Sequence, residues 1–327
     1  MSPPTAPRIR VVGEALVDLV GDTSGRVFTA HPGGSPANVA VDLARLDIPV
    51  TLHGRIGPDA FGRLIRAHLA GNGVDLGGVV AAQEPSSLAV ATISGDGEAA
   101  YDFWTTGTAD WQWRDGDLPD HLPADTVALH TGSLASWLPP SATAVAALLA
   151  RERIRGTATL SYDPNCRPDL MGDRAGALSL VERLVSLVDV VKVSQDDLAW
   201  LLPGQPLERI AQRWLALGPA LVVVTLGGGG AYGLNRTGNV RVAALPVTIV
   251  DTIGAGDAFT AGLLAGLYRS GLLGPRGRDT IADLPAETLR DLLRNAATVA
   301  GLTCAQPGAA GPTTADIRTL RAEPQTK

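Results

Sequence analysis

Lysine and cysteine are scarce in this sequence of 327 residues. The only lysines are Lys192 and Lys327, so arginine carries almost all of the positive charge. A phosphate site built around a P-loop lysine is therefore excluded unless Lys192 supplies it. The two cysteines, Cys166 and Cys304, are too few and too far apart to indicate a disulfide framework or a zinc site.

Clusters of basic residues and long apolar runs are also missing. The formal net charge is -6 and 4% of the residues are aromatic, a balance that disfavours a nucleic-acid partner. The longest uncharged stretch, residues 214–235, contains Pro219 and four consecutive glycines, so it predicts a helix end, a strand and a turn rather than a membrane span. The first ten residues lack the apolar run of a secretory signal. We therefore expect a cytoplasmic protein with neither a nucleic-acid nor a membrane partner.

Strand-like apolar runs alternate with helix-like segments along most of the chain. The first strand is expected to end at Gly13, and Ser35 with Pro36 is expected to start a helix over residues 35–47. This alternation predicts an α/β fold with a mostly parallel sheet covered by helices on both faces, in one domain spanning residues 1–327. Later strands are predicted at residues 126–132, 158–165, 188–194 and 220–227.

Polar residues stand where these strands end. In open parallel sheets the carboxyl ends of the strands face the ligand crevice. Their position therefore makes candidate site residues of His130, Asp163, Asn165, Ser194 and Thr225.

The alternation of strands and helices is interrupted between residues 86 and 104. The stretch SSLAVATISGDGEAAYDFW predicts two short strands around the turn SGDG. Its alternating apolar side chains would lie on one face of this hairpin. The hairpin is either a lid or dimer element, or an extra edge of the main sheet, and the pattern alone does not separate the two.

The stretch VDTIGAGDAF, residues 250–259, combines an anion-binding pattern with a carboxylate. We predict that residues 248–251 end a strand, that Gly254 and Gly256 form a tight turn, and that a helix starts near Ala255. Backbone N–H groups at a helix N-terminus, aided by the helix dipole, bind anions. Asp257 would repel such an anion, so its presence needs a reason.

Two explanations of Asp257 are open. It is either a favourable acid in the first turn of a helix, worth ~0.3–1 kcal/mol, or a catalytic base. Transfer of a phosphoryl group to a hydroxyl needs a group that accepts the proton of the attacking oxygen, and a carboxylate does this. We favour the base, with the hydroxyl between Asp257 and the γ-phosphorus while the backbone N–H groups hold the transferred group.

A second glycine-rich stretch, HPGGSPANVAVDLARL, covers residues 31–46. Gly33 and Gly34 would let the backbone approach a ligand, and Asn38 offers both a donor and an acceptor. Asp18, just after the first strand, would accept hydrogen bonds from neighbouring hydroxyls, so the set suits a diol. The alternative is an ordinary glycine loop with Asn38 as a helix cap.

Two common nucleotide-binding patterns are missing. The pattern G-x-x-x-x-G-K-[ST] does not occur, which disfavours a P-loop NTPase. The pattern G-x-G-x-x-G does not follow the first strand, which disfavours a nicotinamide-dependent oxidoreductase.

In this order, the stretches GGSPANVAVDLARL and VDTIGAGDAF resemble the paired signatures of the ribokinase/PfkB carbohydrate kinase family. The resemblance covers nearly the whole chain, and within the family it is strongest to the fructokinases through GEALVDLV, SPANVAV, TGTAD, SYDPNCR and VKVSQDDLAWL. It implies a Rossmann-like, three-layer α/β/α fold of the ribokinase type. It also implies a small β-sheet lid formed by about residues 20–32 and 86–108, with ATP and Mg²⁺ as cofactors.

The resemblance also assigns roles to individual residues. It implies that Asp257 is the base, that the backbone of Gly254, Ala255 and Gly256 forms the anion hole, and that Arg167 reaches the phosphates. The sugar side would comprise Asp18, Gly33, Gly34, Asn38, Phe103 and Asn165. The nucleotide side would comprise Ser194, Thr225, Gly227, Gly256 and Asn295. Asp197 would serve Mg²⁺, and Asp251 matches the acid of a K⁺ site found in some members.

Two positions depart from the family pattern. Asp197 stands where the family has glutamate in its NxxE element, and its shorter side chain would reach Mg²⁺ through water. Thr105 stands where fructokinases and keto-deoxy-sugar-acid kinases often carry arginine. The missing arginine argues against a substrate with a carboxylate, and it also loosens the match to fructokinases.

The expected protein is an ATP-dependent kinase that phosphorylates a primary hydroxyl of a monosaccharide, with fructose as the favoured substrate. Other open substrates are ribose, another ketose, a nucleoside and 2-keto-3-deoxygluconate. A sugar-sensing relative without catalysis is the alternative of a different class. We also expect a homodimer that forms through the apolar face of the 86–104 hairpin.

Overall fold

The computed structural model describes residues 6–22, 25–93, 99–114 and 116–322. Its strands are β1 (Arg8–Val12), β2 (Leu16–Gly21), β3 (Phe28–Gly33), β4 (Val50–Ile56), β5 (Asp75–Ala81), β6 (Leu88–Ile93), β7 (Ala99–Trp104), β8 (Thr126–Gly132), β9 (Thr159–Asp163), β10 (Val190–Ser194), β11 (Leu221–Thr225), β12 (Ala231–Asn235) and β13 (Gly238–Val242). Its helices are α1 (Ser35–Arg45), α2 (Ala60–Gly71), α3 (Ser133–Trp137), α4 (Ser141–Arg155), α5 (Pro168–Met171), α6 (Arg174–Val185), α7 (Gln195–Leu201), α8 (Leu207–Leu217), α9 (Ala255–Arg269), α10 (Gly277–Ala282), α11 (Ala286–Cys304) and α12 (Thr314–Ala322).

Nine strands form the main sheet in the order β13-β12-β11-β10-β9-β8-β1-β4-β5. The strands from β11 to β5 pair in parallel, and β12 and β13 join as an antiparallel edge. The predicted, mostly parallel α/β sheet is therefore confirmed. Its parallel order brings the ends of β9, β10 and β11 to one edge of the sheet, where the predicted site residues follow them.

Helices cover both faces of this sheet because successive side chains of a strand point to opposite faces. On β10, Val190 packs into the core beneath α9, α10 and α11, whereas Val191 packs into the core beneath α4, α6, α7 and α8. Both residues are fully buried. This arrangement confirms the three-layer α/β/α fold, and it turns Lys192, two residues after Val190, toward the α9 side.

A second sheet of four strands has the order β3-β2-β6-β7. The hairpin predicted at residues 86–104 is present as the antiparallel pair β6 and β7, and its turn at residues 94–98 lies outside the described residues. The hairpin pairs with β2 and not with the main sheet, so it is not an extra edge of that sheet. The N-terminal part of this small sheet begins at Leu16, earlier than the predicted lid boundary near residue 20.

Two buried carboxyl groups lie where the chain passes between the sheets. Asp110 accepts a hydrogen bond from the Ala15 N–H at 2.9 Å and another from the Ser87 hydroxyl, so it ties the start of β2 to the start of β6. Glu14 accepts from the Ala135 N–H at 3.1 Å. Burial raises the pKa of Asp110 to about 6 and that of Glu14 to about 7. The base of the small sheet is therefore held by side-chain hydrogen bonds inside the protein.

The strand predicted to end at residues 248–251 is absent, and that prediction was wrong. The last strand, β13, ends at Val242, and the chain then runs without regular structure to α9. The N–H groups of Val250 and Asp251 both donate to the carbonyl oxygen of Cys304, at 2.8 and 3.2 Å. These backbone groups therefore bond to the end of α11 rather than to a neighbouring strand.

Among the helices in the described part of the chain, none combines the length and the apolar character needed to cross a membrane.

Candidate active site

The N-terminus of α9 lies at the centre of the candidate site. Gly254 precedes the helix with a φ of 75°, and a Cβ atom there would lie 2.7 Å from the Cα of Ala309. Glycine is therefore required both by the left-handed backbone and by the close approach of another segment. The Ala255 N–H makes a long turn bond of 3.3 Å to the carbonyl oxygen of Thr252. The N–H groups of the first helical turn have no partners within the helix, and together with the helix dipole they favour an anion.

Asp257 lies in this first turn and is 8% exposed. One carboxylate oxygen accepts from the Ser35 hydroxyl at 2.6 Å, and the other accepts from the Asn38 side-chain amide at 2.9 Å. Burial raises the pKa of Asp257, while these two hydrogen bonds and the charge of Lys192 lower it. The carboxylate is thus fixed in orientation and has a stronger affinity for a proton than an exposed aspartate.

Helix α1 supplies both of these donors. It follows Gly34, whose φ is 98° and whose Cβ would lie 2.9 Å from the Glu14 carbonyl oxygen. Ser35 and Asn38 are three residues apart, so they share one face of the helix. Asn38 was predicted to contact the sugar, and in the structure one of its amide hydrogens is given to Asp257. Ser35 was not among the predicted site residues, although its spacing from Asn38 was the available signal.

Asp18 and Gly33 come together in the small sheet. Asp18 lies on β2, and a Cβ at Gly33 on β3 would be 2.1 Å from one of its carboxylate oxygens. The absent side chain of Gly33 therefore leaves the space in which the carboxylate lies. Burial raises the pKa of Asp18 to about 6, with Arg167 lowering it and Asp257 raising it further. The charges of Asp18, Arg167 and Asp257 are thus close enough to act on one another.

Phe103, predicted to contact the sugar, is half-buried on β7. It packs against a buried cluster formed by Leu16, Ala89, Trp111, Leu134, Ala135 and Trp137. This cluster joins the small sheet to α3, so Phe103 contributes to that junction.

The segment after β9 carries Asn165 and Arg167. The Arg167 guanidinium donates to the side-chain oxygen of Asn165 at 2.8 Å and to the Cys166 carbonyl oxygen at 2.9 Å. Asn165 has a φ of 41°, and its amide nitrogen is 3.4 Å from the Ser133 hydroxyl. Arg167 also lowers the pKa of Asp197, so its charge reaches both Asp18 and Asp197.

Of the residues predicted to bind the nucleotide, Ser194, Thr225 and Gly227 lie at the ends of β10 and β11. Ser194 and Thr225 are directly paired between these strands. The Ser194 hydroxyl caps α7 by accepting from the Asp197 N–H at 3.0 Å, which occupies part of its bonding capacity. Gly227, with a φ of 53°, begins an exposed turn after β11, and Asn295 is half-buried on α11.

Asp197 and Asp251 were predicted to serve metal ions. Burial raises the pKa of Asp197 to about 6, and one of its oxygens accepts from the Cys166 N–H at 3.2 Å. Within the described ranges there is no group of three or more His, Cys, Asp or Glu side chains that would hold a metal ion. Mg²⁺ commonly uses one or two carboxylates with substrate phosphates and water, so a lone Asp197 fits it. Asp251 accepts from the N–H groups of Ile253 and Gly308, at 3.0 and 2.9 Å, and so braces the turn before α9.

Sequence comparison identifies the family to which this geometry belongs. The pfkB family carbohydrate kinase matches residues 6–316. The chain belongs to this family of carbohydrate kinases. The kinase is therefore a sugar phosphotransferase, as the two glycine-rich stretches indicated.

Several relatives of this kinase are fructokinases. The fructokinase of Rhizobium leguminosarum bv. trifolii is 36% identical over 282 residues, which cover 85% of this chain and 84% of the relative. That of Klebsiella pneumoniae is 38% identical over 268 residues, which cover 81% of this chain and 86% of the relative. The crystal structure of a Xylella fastidiosa fructokinase with bound ATP has a TM-score of 0.88 at 29% identity and covers 96% of this chain and 97% of that one.

A fructokinase double mutant from Vibrio cholerae, crystallised with fructose, ADP and potassium ion, has a TM-score of 0.82 to this kinase. It is 31% identical and covers 96% of this chain and 98% of that one.

Of the predicted strand-end residues of the kinase, His130 lies away from the crevice and Asp163 has an unpredicted partner. His130 lies inside β8, two residues before the strand ends, and its Nδ1 is 3.1 Å from the buried Ser161 hydroxyl, so it does not reach the crevice. Asp163 is also buried, but it lies at the end of β9 and pairs with the Lys192 ammonium at 2.8 Å. This pair lies close to the first turn of α9. No pattern in the sequence indicates this partnership, because Asp163 and Lys192 lie on different strands.

Proposed function

We propose that this kinase transfers the γ-phosphate of ATP to a primary hydroxyl of a monosaccharide, with fructose as its substrate. The observation that carries the proposal is the oriented carboxylate of Asp257 at the N-terminus of α9, close to Asp18. The bound ATP of the Xylella fructokinase and the bound fructose and ADP of the Vibrio fructokinase support it. The cytoplasm remains the predicted location.

In the transfer step, Asp257 accepts the proton of the attacking hydroxyl as its oxygen forms a bond to the γ-phosphorus. The bond from that phosphorus to the leaving ADP oxygen breaks, and the negative charge on the transferred group is stabilised by N–H groups at the start of α9. Ser35 and Asn38 hold the carboxylate in one orientation. Because burial raises its pKa, Asp257 is a better proton acceptor than an exposed aspartate.

The sugar would bind between the small sheet and α1. Asp18 offers carboxylate oxygens to neighbouring hydroxyls, from the space that the missing side chain of Gly33 leaves for it. The backbone of Gly33 and Gly34 would lie beside the sugar. Asn38 keeps one amide hydrogen and its oxygen for a ligand after bonding to Asp257. The uncharged Thr105 favours a neutral sugar over a sugar acid.

The nucleotide would bind along the ends of β10 and β11, near Ser194, Thr225, Gly227 and Asn295. The planar guanidinium of Arg167 is suited to binding phosphate oxygens. It would do so by giving up its hydrogen bonds to Asn165 and Cys166. Asp197 would hold Mg²⁺ through water, and a bound Mg²⁺ would neutralise charge on the phosphates. Asp251 would contribute to a K⁺ site.

The substrate is tested by measuring ADP release with fructose, tagatose, ribose, adenosine and 2-keto-3-deoxygluconate. We expect the highest kcat/KM with fructose. We expect the lowest with 2-keto-3-deoxygluconate, because Thr105 provides no cation for its carboxylate. Omission of ATP is the control for each sugar. If none of the five gives turnover, the proposed substrate class is wrong.

We also propose that the small sheet forms a homodimer interface. Trp104 on the edge strand β7 is 60% exposed, and Phe28 on the opposite edge strand β3 is 40% exposed. Exposed aromatic residues on edge strands are suited to burial against another chain.

The expected result is a dimer mass by light scattering that moves toward the monomer in Trp104→Glu. The matched control is Ile154→Glu on α4, because Ile154 is 88% exposed and lies outside the small sheet. The control should retain the dimer mass. A monomeric wild type at working concentrations would contradict the proposed interface.

A further inference from the structure

A buried ion pair lies beneath the candidate anion site and has no part in the step described above. The Lys192 ammonium on β10 donates to a carboxylate oxygen of Asp163 on the neighbouring strand β9 at 2.8 Å. Lys192 is 4% exposed and Asp163 is 2% exposed. Removing two charges from water is costly, and a buried pair is often no more stabilising than apolar residues of the same volume. A charged pair at this position therefore calls for a reason beyond stability.

The ammonium lies directly against the first turn of α9. A Cβ atom at Gly256 would be 2.9 Å from the Lys192 nitrogen. Gly256 is within the helix and does not have a left-handed backbone, so the turn itself does not require glycine there. A Cβ at Gly256 would force the Lys192 nitrogen to shift. The Lys192 ammonium thus lies beside Gly256, the residue before Asp257, and behind the turn that would hold the phosphate.

The charges around Asp257 come from several elements. Lys192 on β10 lowers its pKa, and Asp163 on β9 raises it. Asp18 on β2 and Asp42 on α1 also interact electrostatically with Asp257. The Ser35 and Asn38 side chains on α1 complete its surroundings through their hydrogen bonds. Three carboxylates therefore surround a fourth, at a place where phosphate adds further negative charge.

We propose that Lys192, fixed by Asp163, is a positioning residue of the transfer step that keeps the Asp257 carboxylate ionised while phosphate gathers at the start of α9. The inference rests on the proposed function. It explains how a carboxylate and an anion site lie side by side, since a cation behind the helical turn offsets the repulsion between them. It also gives a reason for glycine at position 256, since a Cβ atom there would displace the Lys192 nitrogen.

The test is the pH dependence of kcat in Lys192→Met and Asp163→Asn, measured with the sugar that the wild type turns over best. Asp257 must be ionised to act as the base, so kcat falls on the acid side as Asp257 becomes protonated. Loss of the Lys192 cation raises the pKa of Asp257, and we expect the acid limb to move to higher pH by about one unit or more. Loss of the Asp163 anion lowers the pKa of Asp257, and we expect the acid limb of Asp163→Asn to move to lower pH.

Opposite movements in the two variants would distinguish this role from a purely structural one. Asparagine at position 163 keeps an oxygen that accepts from Lys192, so this variant should fold. Lys192→Met leaves Asp163 buried without its cation and destabilises the protein. The double variant Lys192→Met/Asp163→Asn removes both charges and serves as its folded counterpart. The acid limb of the double variant should lie at higher pH than that of the wild type, because Lys192 changes the pKa of Asp257 more than Asp163 does.

Acid limbs that coincide with the wild type in folded, active variants would overturn the inference and leave the proposed function standing. If neither Lys192→Met nor the double variant folds, Asp163→Asn decides the question. An acid limb of kcat at the wild-type pH, or at higher pH, would then overturn the inference. Absence of turnover in the wild type with every sugar would overturn the proposed function, and this inference with it.

Discussion

Replacement of Asp257 by asparagine is expected to lower kcat by about 10²–10⁴-fold, the range that a positioned general base contributes. Asparagine has the same shape and still accepts a hydrogen bond from Ser35, so the junction of α1 and α9 should persist. It does not accept the proton of the attacking hydroxyl at neutral pH. The loss is therefore expected in kcat rather than in KM for the sugar.

This prediction is checked by steady-state kinetics together with a thermal melt of each variant. Asp283→Asn is the matched control, because Asp283 pairs with Arg236 and both side chains are more than half exposed. The control should retain wild-type kcat. A properly folded Asp257→Asn protein with unchanged turnover would mean that another group takes the proton.

The second large effect is expected from Gly254→Ala, which should lower kcat by about 10²–10³-fold, as loss of a preorganised anion donor does. The added Cβ would lie 2.7 Å from the Cα of Ala309, and backbone atoms do not yield as a flexible side chain does. The turn before α9 must shift, and the N–H groups at the start of the helix shift with it. The left-handed φ of 75° adds strain of about 1 kcal/mol or more.

Gly271→Ala is the matched control, because it introduces the strain of a left-handed backbone without displacing the turn before α9. Gly271 follows the other end of α9, has a φ of 66°, and has no atoms within 4 Å of the position that a Cβ would take. This control should lower the melting temperature slightly and leave kcat unchanged. Equal losses of kcat in the two variants would show that the geometry of the turn at Gly254 is not what matters.

Much of the fold could be predicted because apolar periodicity reports which side chains are buried. The strand predicted at residues 126–132 has the same bounds as β8, and the strands predicted at 158–165 and 220–227 are slightly longer than β9 and β11. The failure at residues 248–251 has a physical cause. The N–H groups of Val250 and Asp251 bond to the end of α11, a partner some fifty residues away that no local pattern indicates.

The candidate site was predictable where its chemistry is local in sequence. Gly254 and Asp257 lie in one short stretch, so a turn, a helix start and a carboxylate could be inferred together. The partners of Asp257 were not predictable in the same way, because Ser35 is 222 residues away and Lys192 lies on another strand. His130 shows the opposite error. The bounds of its strand were predicted correctly, but a residue two positions before the strand end still lies inside the sheet, where Ser161 is its partner.

The enclosure of Lys192 has a practical consequence. Lys192 is 4% exposed and its ammonium is bonded to Asp163, so the amine is shielded from an acylating reagent in the solvent. The only other lysine of the sequence is Lys327. Coupling through lysine would thus direct a dye or a solid support toward position 327, which lies beyond the last predicted site residue, Asn295, in the sequence.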